Sequence, residues 1–225
     1  MKRFLLISLI GSLFVFSCKK DDETPVDFGY DYYPTQEGLY KIYDVMEAQH
    51  DDPSNIHDTT RYQLKTLIGE RIIDNEGDSV NKFFRYTRIL PTDDWTLQDG
   101  WTIKLDDNRR GELVEENQRV IKLVFPANVG ESWNINALNP FGASTATIES
   151  NDEAHEIGAY NFDRTVKVRY MADTNLVNWY NQYQIYASGI GLVHVHWQEY
   201  EKVFATSIPR LGTEYHWDLV EHGFE

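Results

Sequence analysis

Few residues in this chain are suited to chemistry. His194 and His196 flank Val195, and on an extended strand that spacing puts both imidazoles on one face, with Val193, Val195 and Trp197 on the other. Zinc hydrolases use such a His-x-His pair with a third protein ligand and an open position for water. His216 and His222 are the candidates for that third ligand, although no spacing demands either. Two half-exposed histidines opposite a buried apolar face give the same pattern, and that plainer reading is preferred. The acidic groups Asp51-Asp52 with Asp58, Asp93-Asp94 and Asp106-Asp107 offer oxygens, but an ordered calcium loop sets six or more of them around a glycine with a closing glutamate, and no such series occurs. They read as solvated loops. Glycoside hydrolysis needs two carboxylates at a defined separation, which 36 acidic residues do not by themselves specify. Trp95, Trp101, Trp179 and Trp197 are candidates to stack on a ligand ring, a disposition that core packing also produces. Covalent catalysis lacks its signatures: there is no Gly-x-Ser-x-Gly, and no cysteine follows Cys18.

The elements that would position these residues read as strands. From Leu39 the chain alternates, with Leu39, Lys41, Tyr43 and Val45 on one face and Tyr40, Ile42, Asp44 and Met46 on the other. Thr59 to Ile73 and Ser79 to Leu90 continue the pattern around the turn Asn75-Glu76-Gly77-Asp78. Trp95 to Leu97 and Trp101 to Leu105 read as a tighter hairpin about Gln98-Asp99-Gly100. Gly111 to Glu115 and Arg119 to Phe125 form another about Asn117-Gln118. Ala143 to Ser150 is a short strand, Asn151 to Gly158 a polar turn, and Asn161 to Ala172 the clearest alternation in the chain. Leu176 to Ala187 and His194 to Phe204 follow, joined through Gly189-Ile190-Gly191, where a glycine pair between two β runs marks a bend or bulge. No helix is convincing. The expected fold is all-β or β-dominated: a single domain of antiparallel strands, as a curved sheet, open barrel or sandwich.

Composition narrows the partners. Without residues 1–17 the chain carries 19 Lys and Arg against 36 Asp and Glu, a formal charge of −17. Phosphate backbones and anionic lipid surfaces require clustered cations, so nucleic acid is excluded as a partner. The absence of cysteine beyond Cys18 rules out disulfides, and stability must come from packing, for which 14 Tyr, 11 Phe and 6 Trp supply much of the material.

The N-terminus sets the location. Lys2 and Arg3 precede an apolar run from Phe4 to Phe16, too short and too soon followed by charge for a spanning helix and suited to a secretory signal. It ends in Val15-Phe16-Ser17-Cys18, which resembles a bacterial lipobox. The resemblance implies lipidation of Cys18 and removal of residues 1–17. Lys19-Lys20-Asp21-Asp22-Glu23 resembles the acidic export signal of Bacteroidetes lipoproteins, implying an outer-membrane protein facing the periplasm or the cell surface. Residues 18–31 then form a flexible acidic tether and residues 32–225 the β-rich domain. Tyr33-Pro34, Gly38-Leu39-Tyr40, Val129-Gly130 and Tyr186 to Val193 together resemble the layout of Bacteroidetes outer-membrane lipoproteins, some with the curved sheet of the lipoprotein-carrier and DUF3108-like families. The carriers' plugging helices have no counterpart here. Palmitate-type acyl chains would hold such a protein to the bilayer without a transmembrane helix.

The expected role is a non-catalytic binding or assembly module with no cofactor, presenting an aromatic sheet to an apolar, glycan or protein partner. The alternatives are a metal-dependent hydrolase built on His194 and His196, and an accessory subunit of an outer-membrane machine.

Overall fold

The computed structural model describes residues 27–225; Cys18, the lipobox-like segment and the acidic run behind it lie outside the described residues. The chain forms twelve strands: β1 (Leu39–Asp51), β2 (Ile56–Ile73), β3 (Ser79–Arg88), β4 (Thr96–Leu105), β5 (Arg110–Glu115), β6 (Gln118–Val124), β7 (Ser132–Asn134), β8 (Thr145–Ile157), β9 (Tyr160–Thr174), β10 (Asn178–Ala187), β11 (Gly191–Lys202) and β12 (Pro209–Phe224). The helical structure among the described residues is two 3-10 turns, Tyr30–Tyr32 and Asp52–Ser54.

All twelve strands join one antiparallel sheet in the order β6-β5-β4-β3-β2-β1-β12-β11-β10-β9-β8-β7. Chain neighbours pair everywhere but between β6 and β7, and β1 meets β12 at the centre. The two edge strands, β6 and β7, are therefore consecutive in sequence, and the sheet curls until they touch. Across that seam the Ile121 amide donates to the Ile135 carbonyl at 3.0 Å, and Trp133 Nε1 donates to the Ile121 carbonyl at 3.0 Å. The expected open barrel is present, nearly closed, which leaves little unpaired edge. Replacing Trp133 with Phe keeps an aromatic ring and removes the donor. It should cost about 1–2 kcal/mol in urea unfolding, and an unchanged midpoint would show that the seam does not need this bond.

Two local readings are corrected, and β12 is a strand that the sequence reading did not include. Gln98-Asp99-Gly100 does not turn the chain; it lies within the continuous strand β4, where a bulge shifts the register between Arg85 and Tyr86 of β3. Asp99 stays in the sheet because it meets Arg85 across the strand at 3.4 Å. Asn151 to Gly158 is not a turn as far as Ile157: β8 runs on through bulges near Ser150, Glu153 and His155, with Asp152 at φ 56°. Bulges insert residues without ending the ladder, so a polar run with broken period still pairs. β12, whose charged and glycine-bearing start hides its alternation, becomes a central strand because β1 and β11 flank it.

The core lies along the barrel's inner wall. One cluster gathers Leu39, Ile68, Phe83, Leu123, Ile148, Val166 and Tyr186 with Tyr32 and Tyr33, which precede β1. Gly111 is required there: a Cβ on it would lie 2.8 Å from the Tyr33 ring. A second cluster joins Tyr43, Leu64, Val193 and Leu219 to Ile157, Phe162 and Ile185.

Candidate functional site, a cavity inside the barrel

The inward-facing residues of the strands do not fill the barrel. They leave a cavity of about 440 Å³, a volume of the order of a small-molecule site. Its wall is mostly aromatic. Phe83 stacks on Trp101, centroids 6.4 Å apart and planes 11° apart. Trp197 stacks on Tyr215 at 5.6 Å and 7° and meets Tyr170 at 5.7 Å, while Trp217 packs beside Tyr43 at 5.8 Å.

A few polar groups interrupt this surface. The Arg85 guanidinium lies 4.6 Å from the Trp101 ring centre and 5.7 Å from that of Trp217, and its Nε has no hydrogen-bond partner. The hydroxyls of Tyr170 and Tyr186 both donate to Gln184 Oε1, at 2.9 and 2.7 Å. Glu115 and Lys122 form an ion pair on the wall. Tyr33 and Thr66 also line the cavity, and the Tyr33 hydroxyl is buried without a partner among the described residues. Unpaired buried polar atoms are costly and uncommon, and the wall residues Tyr33 and Arg85 each carry one.

Lys41 is the sharpest case. It is only 6% exposed and lines the cavity. Its ammonium donates to the Ile190 carbonyl at 3.2 Å, and among the described residues no carboxylate approaches within ion-pair distance. Burial pushes the Lys41 amine down to about 8, because the charged form has lost its hydration. Room for the ammonium comes from Gly191, at φ +85°, where a Cβ would stand 3.2 Å from Lys41 Nζ and 3.1 Å from Pro34 Cδ. The sequence carries a signal for this group: Lys41 interrupts the apolar face of Leu39, Tyr43 and Val45.

The candidate residues divide. Trp101 and Trp197 line the cavity. Trp95 instead packs under Arg88, 4.1 Å from its ring centre. Trp179 stacks on Tyr200 at 6.2 Å with Lys202 beside it, so neither faces the interior. Trp217 and Tyr215 join the wall without a signal in the sequence, because the alternation of β12 is hidden by its polar start.

His194 and His196 lie on the opposite face from Val195 and Trp197, outside the barrel. His194 Nδ1 sits 2.7 Å from Asp218 Oδ1. His196 Nε2 lies 2.9 Å from Asn181 Nδ2 and 3.0 Å from Gln198 Oε1. Burial holds His196 below the usual histidine range, and the neighbouring His216 and His194 push the same way. The cross-strand partner of His196 is His216, with ring centres 4.4 Å apart, yet His216 Nε2 is taken by Glu214 at 2.8 Å. His222 is elsewhere, against Tyr160 at 5.6 Å. Among the described residues the group of three whose ligand atoms fall within 4.8 Å of one another is Asp74, Glu76 and Asp78, not the histidines. Those three acids face Arg119 and Lys104.

The acidic loops serve local structure. Asp51 Oδ1 accepts from the Ser54 amide at 3.2 Å, Asp93 Oδ2 from the Leu90 amide at 2.8 Å, and Asp106 holds Arg110 through both its amide and its guanidinium.

No protein-family model matches this sequence, and no curated protein matches it. Among solved structures, a crystal structure of a candidate lipoprotein from Parabacteroides distasonis is similar at 14% identity, covering 85% of this chain and 98% of that one, with a TM-score of 0.35.

Proposed function

We propose that this chain is a lipid-anchored cell-envelope protein that holds a small, largely apolar ligand inside its barrel without transforming it. The observation that carries this reading is the aromatic cavity with a few polar residues, Lys41, Arg85 and Gln184 among them, on its wall. Apolar pockets bearing a few convergent polar groups are the usual form of small-molecule sites, and among the described residues no catalytic constellation accompanies this one. The Lys2 to Cys18 segment supports the anchor, and the acidic run after it supports the outer membrane.

Binding is tested with a neutral apolar dye such as N-phenyl-naphthylamine and excitation transfer from the wall tryptophans. Saturable binding is expected. Val195 is 1% exposed and lines the cavity, so Val195→Phe fills part of it and should weaken the dye at least tenfold while circular dichroism still reports a sheet. Dye affinity unchanged by that substitution places binding outside the barrel and ends the proposal. The anchor is tested separately: Cys18→Ser should release the protein from the envelope and abolish incorporation of labelled palmitate.

A further inference from the structure

We propose that the ligand is an amphipathic organic anion, its apolar body lying among Trp101, Trp197 and Trp217 and its single negative group paired with the Lys41 ammonium. This deepens the cavity-binding reading and rests on it. The argument begins with charge. An ammonium removed from water needs an opposite charge or a full set of acceptors. Among the described residues Lys41 has one acceptor, the Ile190 carbonyl, which occupies one of its three donor positions.

The sequence had many chances to neutralise it. The chain carries 36 acids, and the other charged residues of the cavity wall have partners: Lys122 has Glu115 and Arg85 has Asp99. Among the described residues those around Lys41 offer no counter-charge. Its cross-strand neighbours are Thr66 and His222, the chain beyond contributes Pro34 and Gly191, and Tyr43 is next on the same face. Thr66, directly across the strand pair from Lys41, is uncharged. A lone ammonium and a mostly apolar wall suit one carboxylate or sulfonate on a hydrophobic body. They do not suit a neutral glycan, which needs polar groups all round it.

Two dyes sharing one aromatic body separate the two contributions: N-phenyl-naphthylamine is neutral, and anilinonaphthalene sulfonate adds one anion. The wild-type protein should bind the sulfonate at least tenfold more tightly. Lys41→Met, which keeps length and apolar bulk, should abolish that preference and leave the neutral dye's affinity within about twofold, while Lys41→Arg should retain the preference. Equal affinities for the two dyes in the wild type, or a preference that survives Lys41→Met, overturns the anion assignment while leaving cavity binding intact. Failure of both dyes to bind the wild-type protein overturns both.

Discussion

Replacing Glu112 with alanine is expected to lower the stability of the barrel by about 3–5 kcal/mol, the cost of leaving buried charge without its partner. Glu112 lies on β5 and is 1% exposed. Its carboxylate is reached by Arg119 at 3.0 Å, Arg110 at 3.1 Å and Lys104 at 3.4 Å. Arg119 in turn holds Asp74 at 3.2 Å and Glu76 at 2.8 Å, and Lys104 holds Asp78. The acids of the β2–β3 turn are thus fastened to β4, β5 and β6 through cations that converge on one carboxylate. Without it, three cations crowd one another with much of their hydration already lost. Urea unfolding is the measurement, and a loss below about 1 kcal/mol would show that the acids of the turn suffice to balance those cations. Glu112→Gln, which keeps a hydrogen-bond acceptor and loses the charge, should fall between the two.

Lys41→Met should have the opposite sign. In the folded protein burial holds this amine at about 8, against an ordinary value of 10.5. Between those two pH values the unfolded chain carries a proton that the folded chain lacks, so wild-type stability should rise with pH across the window. Below pH 8 the lysine is charged in both states and burying it costs up to about 3 kcal/mol, because each tenfold weakening of proton binding corresponds to about 1.4 kcal/mol. Methionine removes that cost and leaves the Ile190 carbonyl without its donor, which returns about 1 kcal/mol. The variant should therefore be about 2 kcal/mol more stable at pH 7, with an advantage that shrinks towards pH 10. Groups remote from Lys41 are common to both proteins and cancel in the difference. A variant less stable than wild type at pH 7 would show that the ammonium is well accommodated in the empty barrel. A gain in stability joined to a loss of anion binding would mark Lys41 as kept for a ligand, because the fold alone would be better without it.

Much of the sheet is legible in the sequence because each strand buries one face, and period-two alternation exposes that directly. Asn161 to Ala172 announces β9 in this way, and Leu39 to Met46 announces β1. The segments that mislead are those where bulges break the period. β8 carries three register shifts, and each moves the inward face by one residue, so its polar residues look like a turn. In β4 the Asp-Gly pair has the composition of a hairpin, and only the Arg85–Asp99 contact across the strands shows why it stays extended. The tryptophans illustrate the same limit. All six have the residue type of a stacking platform, yet which ones face inward depends on register, and the register of β12 exists only once β1 and β11 flank it.

The sequence alone determined that this chain is antiparallel β, strongly acidic, free of disulfides and equipped with an N-terminal lipobox-like segment, because alternation, net charge and cysteine content are local or additive properties. The tertiary structure decided that the sheet curls until β6 meets β7, that a cavity remains inside, and that Lys41 faces it without a carboxylate. Those facts depend on curvature and on contacts between distant strands, and neither is written in any single stretch of residues.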